Sequence, residues 1–328
     1  MAEIPADCVR SVLARFGVED GSVQALGSHG GFSGAQLWRV RTPAGEWCLK
    51  AWPVEMNVEQ LRHAHWLMRQ GRAAGLDYVP SPHDSSDGSG CVTTTGHLWD
   101  LTTWQPGRAD FHAHPSPHRL ESACAALAEL HRAWRPARPK VGELPAVRRR
   151  LAAAEQWQAL VRTGWQPDFS ACRHDGLAMW TERAWVVLYY AVRRVPQWLG
   201  PWRDVRLPLQ PCLCDVWHDH VLFTEDDVTG LVDFGSARTD HVAGDLARLL
   251  GSLVEDDPAL REAGLDAYDR DAGLSADERA LVDVLDRTGT VLSLANWLRW
   301  VYCDGREWQD ADRAAARVAG LVRRVETW

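Results

Sequence analysis

Residues 210–235 read QPCLCDVWHDHVLFTEDDVTGLVDFG, and the reading of this stretch decides the fold. Cys212, Cys214, Asp215, His218, Asp219 and His220 fall within nine positions. One reading is a metal site, because C-x-C on a strand turns both thiols to one face and H-x-H can do likewise. Structural zinc usually shows wider cysteine spacing, so this short set would have to fold back on itself. The other reading makes the aspartates the working groups. Asp215 opens a loop that re-enters a strand at HVLFT, and the strand VTGLVDF brings Asp233 to its end, with Gly235 permitting a turn. A carboxylate at such a strand end suits Mg2+, a hard cation with oxygen ligands. Cys212 and Cys214 are then small apolar fillers, His218 is a loop residue, and TEDD at 224–227 is a solvated turn.

Upstream, SVQALGSHGGFSGAQLWRVRTPAGEWCLKAWP, residues 22–53, predicts strands at 23–26, 36–41 and 46–52. The connector holding Gly27, Gly30, Gly31 and Gly34 has the backbone freedom to cover phosphates. No G-K-[ST] follows, so it is not a P-loop. Lys50 sits inside the apolar strand EWCLKAW, where a buried ammonium needs an anionic partner. A short helix is expected at 5–16 and a long one at 57–75, with Asn57 as N-cap and Gly75 as stop. CVTTTGHLWDLTTWQPG predicts a hairpin turning at Thr95–Gly96 and a break at Pro106–Gly107. Beyond that break the pattern turns helical, with Ser116 and Pro117 opening a helix. Further helices are expected around 145–163, 178–199, 240–254, 258–270, 276–300 and 308–325. HDSSDGSG and RPARPKVGEL are the softest linkers.

With 328 residues, 46% hydrophobic and 24% charged, the chain has the composition of a globular protein with two lobes. Its net charge of -8, with Lys and Arg scattered among acids, argues against a nucleic-acid partner. There is no apolar run of membrane-spanning length and no signal-peptide core, so no membrane partner and a cytoplasmic location are expected. The eight cysteines then read as reduced thiols. The 18 tryptophans read chiefly as core, although Trp297, Trp300, Asp304 and Glu307 would offer aromatic faces and negative charge to an amine. His131 reads as a core histidine.

Taken in order, several segments resemble the aminoglycoside phosphotransferase and choline kinase family, a branch of the protein-kinase-like fold. GGFSGAQLWRV resembles the loop covering the nucleotide, WCLKAWP the phosphate-pairing lysine strand, and LWDLTTWQPG the strand into the hinge. ALAELH and GDLARLLGSL resemble helices of the C-terminal lobe, CDVWHDHVLF the catalytic loop, and GLVDFGSA the metal-binding strand. Together they span roughly residues 25–255, in family order and spacing.

The resemblance implies an α+β, two-lobed kinase-like fold. A small antiparallel N-lobe with one long helix, 1–105, would bind nucleotide. A larger, mainly helical lobe, 106–328, would carry the catalytic loop and the acceptor pocket. It implies ATP-dependent phosphoryl transfer to a small-molecule hydroxyl, amines among the candidates, by a monomer or homodimer. Gly30, Gly31, Phe32 and Ser33 would cover the phosphates, Lys50 would pair with them, and the hinge backbone around Trp104 and Gln105 would face the adenine. Asp215 would be the base, Asp233 and His220 would hold Mg2+ or Mn2+, and Asp245 would brace the catalytic loop. Four positions depart from the family. Leu213 and Cys214 precede Asp215 in place of His-Gly. His220 stands for Asn. His63 falls where the family pairs a helix Glu with the strand Lys, with Glu59 one turn earlier. These departures leave a weak or inactive nucleotide-binding module as the alternative.

Overall fold

In the computed structural model, residues 4–27, 34–308 and 310–328 are described. The chain begins with α1 (Ala6–Arg15), β1 (Ser22–Gly27), β2 (Gln36–Thr42), β3 (Gly45–Trp52) and α2 (Val58–Ala73). Next come β4 (Pro82–His83), β5 (Val92–Thr94), β6 (His97–Thr103), α3 (Pro117–Trp134), β7 (Lys140–Glu143) and α4 (Pro145–Arg162). Then follow α5 (Asp175–Ala191), α6 (Val195–Leu199), β8 (Arg206–Cys212), β9 (Val221–Thr224), β10 (Asp227–Leu231) and β11 (Arg238–Asp240). Four helices end the chain: α7 (Ala243–Leu253), α8 (Pro258–Ala272), α9 (Ala276–Tyr302) and α10 (Ala311–Glu326). By packing, the chain forms two compact units, Met1–Arg135 with Leu213–Arg238, and Pro136–Cys212 with Thr239–Trp328.

The first unit is built on an antiparallel sheet of order β1-β2-β3-β6-β4, with β5 also on β6. Strand alternation gives it two chemically different faces. Trp38, Val40, Leu49, Ala51, Trp99 and Leu101 are buried in one core with Val9, Val12 and Leu13 of α1. Trp38 stacks on Trp99 at 5.3 Å. Lys50, Trp52 and Asp100 alternate onto the other face, where Trp52 and Leu98 pack with Leu61 of α2. The turn from β5 to β6 has Thr95 at φ 51° and Gly96 at φ 75°, a two-residue turn whose twist matches the paired strands.

Helix starts follow the side chains that cap them. Asn57 Oδ1 accepts the Gln60 N–H at 2.8 Å, and Ser116 Oγ accepts the Arg119 N–H at 3.1 Å. The β9–β10 hairpin is tied to α3 within the same unit. Buried Arg119 donates to Asp110 at 2.8 Å and to Asp226 at 3.3 Å, and Ser122 Oγ accepts the Val228 N–H at 3.0 Å. Trp134 Nε1 donates to the Leu67 carbonyl at 2.9 Å, joining α3 to α2.

The second unit is helical around α9, whose buried residues run from Leu281 to Leu298. Helices α4, α5, α7 and α10 all pack against it. A small sheet of order β11-β8-β7 completes this unit. One helix expected at 178–199 is two: α5 ends at Ala191 and α6 begins at Val195. Pro196 explains the break, since it lacks an N–H and its ring crowds the preceding turn. Among the described residues no helix is long and apolar enough to cross a membrane.

Candidate active site

Lys50 is delivered by the sheet. It stands in β3, opposite Leu37 of β2 and Asp100 of β6. Its side chain is 13% exposed, and its Nζ donates to Asp233 Oδ1 at 2.8 Å. That is the anionic partner an ammonium in an apolar strand requires. The indole face of Trp52, two residues on, lies under the ammonium at 3.5 Å.

Asp233 follows the end of β10 and is held in the left-handed region, φ 65° and ψ 65°. Non-glycine residues seldom adopt this conformation, and their occurrence at working sites is a recurrent pattern. Two backbone bonds fix the approach: Leu231 N–H donates to the Tyr78 carbonyl at 2.8 Å and Val232 N–H to the His220 carbonyl at 3.0 Å. Beyond Asp233, the Gln60 amide of α2 donates to the Gly235 carbonyl at 2.7 Å. Burial pushes the Asp233 carboxyl up, but Lys50, by its charge and its hydrogen bond, and the Gly235 N–H outweigh it and bring it down to about 2.

The loop before β9 is held by its own imidazole. His220 Nδ1 lies 2.6 Å from the Asp215 carbonyl, and Trp217 Nε1 donates to His220 Nε2 at 2.9 Å. These two partners define a neutral ring with its proton on Nδ1, because an indole N–H only donates. His220 Nε2 also lies 3.7 Å from Asp233 Oδ2. Asp215, part-buried, follows Cys214 at φ 63°, so the residue standing where the family has Gly takes a conformation Gly adopts freely. Cys214 Sγ lies 3.9 Å from the Arg238 carbonyl. Among the described residues, Cys214, His218 and His220 do not bring three ligand atoms together. His220 thus links the backbone of Asp215 to the neighbourhood of Asp233.

Other expected residues fall differently. Gly30, Gly31, Phe32 and Ser33 lie outside the described residues. Trp104 donates its N–H to the Glu46 carbonyl at 2.9 Å, and its ring carries the Arg39 guanidinium at 4.4 Å. The Gln105 side chain is buried, its NH2 facing the Asp77 and Thr229 carbonyls at 3.3 Å and its oxygen the Thr103 hydroxyl at 3.1 Å. It locks the connection after β6 in place.

Neither helix candidate reaches Lys50. His63 stacks beside Trp66 at 5.9 Å, and Glu59 is exposed. The helix residue that enters the sheet face is His65, whose Nε2 is 2.9 Å from Asp100 Oδ2. Asp100 Oδ1 accepts the Trp52 indole N–H at 2.8 Å. Sequence reasoning missed Trp52, Asp100 and His65. An Asp in the middle of the apolar strand HLWDLTT was the signal that something buried had to meet it.

In the second unit, Trp297 is buried against Trp300 and Trp308 at 5.3 and 5.0 Å. The acids expected to meet an amine are already paired with arginines. Asp304 faces Arg299 at 3.7 Å and Arg306 at 3.5 Å, and Glu307 faces Arg173 at 3.6 Å. Arg306 also covers the Trp300 ring at 5.1 Å. Asp245 is buried in the first turn of α7.

An antiparallel sheet carrying a lysine, a helix on that face, and a loop–strand pair ending on an aspartate beside the lysine define a kinase-like phosphotransferase class. The sequence pattern of the phosphotransferase enzyme family matches residues 27–281, and the chain belongs to that family. It is a small-molecule kinase. A homoserine kinase from Gluconacetobacter diazotrophicus is 28% identical over 254 residues, covering 75% of this chain and 72% of that protein. Among solved structures, a spectinomycin phosphotransferase with ADP and spectinomycin superposes with TM-score 0.72 at 10% identity, over 99% of this chain and 98% of that one. A choline kinase from Streptococcus pneumoniae superposes with TM-score 0.57 at 13% identity, over 98% and 99%.

Proposed function

We propose that this protein transfers the γ-phosphoryl group of ATP to a hydroxyl of a small molecule. The observation that carries the reading is the Lys50–Asp233 ion pair at 2.8 Å, joined through His220 to the Asp215 backbone. In this reading Asp215 accepts the proton of the acceptor hydroxyl as its oxygen bonds to the γ-phosphorus. The bond from that phosphorus to the bridging oxygen breaks, and ADP leaves with the electron pair. Lys50 pairs with the phosphates in place of Asp233, and its charge steadies the leaving group.

Asp233, deprotonated far below neutral pH, offers the hard oxygen donors that Mg2+ prefers. When bound, Mg2+ or Mn2+ would neutralise charge on the β- and γ-phosphates. For His220 to join as a metal ligand, its Nε2 has to leave the Trp217 indole; until then it orients the Asp215 loop. By role, residues 1–105 serve the nucleotide, with 30–33 covering it and the Trp104–Gln105 segment beside the base, and 106–328 serve the chemistry and the acceptor.

Homoserine is the first acceptor to test, because it is the substrate named for the bacterial relative at 28% identity. The paired state of Asp304 and Glu307 gives no support to an amine site there. ADP release should be followed with homoserine, choline, aminoglycosides and sugars, with Mg2+ or Mn2+, in the native protein and Asp215→Ala. Turnover unchanged by that substitution would sink the base assignment. The occupied His220 Nε2 favours one rival, a weak or inactive nucleotide-binding module. ATP binding without turnover on any acceptor would select it.

A further inference from the structure

Asp100 stands directly across from Lys50 in the β3–β6 register, yet the ammonium bonds Asp233. Both Asp100 oxygens are already engaged, Oδ1 by the Trp52 indole N–H and Oδ2 by His65 Nε2. Asp100 and His65 are each 2% exposed. An ionised carboxylate only accepts, so His65 Nε2 carries its proton toward Asp100. Trp52 makes two further contacts. Its ring face is 3.5 Å from Lys50 Nζ. Its Cζ3 and Cη2 edge lies so close to Gly235 that a Cβ there would fall 2.4 and 2.5 Å from them. One indole thus touches the lysine and the turn that carries Asp233, and its own orientation is fixed from α2.

We infer that Trp52 is the positioning residue for the Lys50 ammonium, held in place by Asp100 and, through Asp100, by His65 of α2. This rests on the reading that Lys50 engages nucleotide phosphates. The arrangement takes over the task of a helix carboxylate paired with the lysine, by different physics. A carboxylate neutralises the ammonium and competes with the incoming phosphate. An aromatic face attracts the ammonium without cancelling its charge, so Lys50 can exchange Asp233 for a phosphate while its stem stays placed. The negative charge of Asp100 is directed into Trp52 and His65.

A bland account makes Trp52 a packing residue, since it is buried with Leu61, Cys91 and Leu98. A double-mutant cycle on the full chain separates the two. ATP with Mg2+ is titrated by calorimetry into the native protein, Trp52→Leu, Lys50→Met and the double variant. Trp52→Leu should weaken ATP binding about 3- to 30-fold, the range of a desolvated cation–π contact. In the Lys50→Met background the same change should cost under about 2-fold, because the cation is gone. Trp52→Met, which also removes the aromatic face but keeps a long apolar side chain, serves the cycle if the Leu variant does not fold. His65→Gln, which retains a donor to Asp100, should keep ATP affinity, and His65→Leu should lose it. A Trp52 effect of equal size in both backgrounds would make the indole a packing residue and overturn the assignment. Unchanged ATP affinity in Lys50→Met would remove the nucleotide reading of the site, and the role of Trp52 with it.

Discussion

At Asp233, one carboxylate takes a lysine, an imidazole neighbour and a backbone N–H while sitting in a left-handed conformation. Its pKa of about 2 lies below the ordinary 3.8, so the charged form is favoured by folding. Its contribution to stability is fully present above about pH 4 and is lost as pH falls toward 2. Urea midpoints of the native protein and Asp233→Asn, measured from pH 5 to pH 2, should converge at the acid end. At Asp215, replacement by Asn should lower turnover by about 10²- to 10⁴-fold with the fold intact, the usual contribution of a general base. Gly235 tolerates no side chain, given Trp52 at 2.4 Å from an added Cβ. Gly235→Ala should destabilise by about 1–3 kcal/mol, read by chemical denaturation. Lys50 was legible as a candidate because it breaks an apolar strand with a charge that burial alone would penalise, and Asp233 because it puts a carboxylate just past a strand end beside a glycine. His65 was not. The family pattern pointed to His63, and which of two histidines on α2 faces the sheet depends on the rotation at which that helix docks.

Elements whose signals are local stand where those signals predict. Asn57, Ser116, Thr95–Gly96 and the alternation of β3 each act over a few residues, and the structure has them where expected. Asn57→Ala should cost about 1 kcal/mol, measurable as a lowered denaturation midpoint. The short strands β4, β7 and β11 have only 2, 4 and 3 residues, too few for a period to emerge. Their extended form comes from their partners. Pro196 marks the break between α5 and α6, although the apolar pattern on either side by itself predicts one helix.

On the scale of the whole molecule, each compact unit collects distant segments. The first takes Leu213–Arg238 into a body that otherwise ends at Arg135, inside the soft linker RPARPKVGEL. In the second, Arg324 of α10 pairs with Asp286 of α9 and with Asp256 at 2.8 Å, and it donates to the Gly251 carbonyl at 3.1 Å. Burial works against its charge, yet the two carboxylates raise its pKa. Arg324→Met strands Asp286, which keeps only Arg261 at 2.6 Å among its described ion pairs. The substitution should destabilise by about 3 kcal/mol, read by thermal or urea unfolding.

The sequence by itself determined the α+β class, the order of strands and helices, and the charged residues that had to find partners. Periodicity, caps and a lysine or aspartate in an apolar strand are properties of neighbours along the chain, so they survive without a fold. Only the tertiary structure decided the partners. It gave Lys50 to Asp233, turned Asp100 to Trp52 and His65, and closed the Trp217 indole onto His220. Those choices depend on strand register and helix rotation, which are set when surfaces pack and not by any local run of residues.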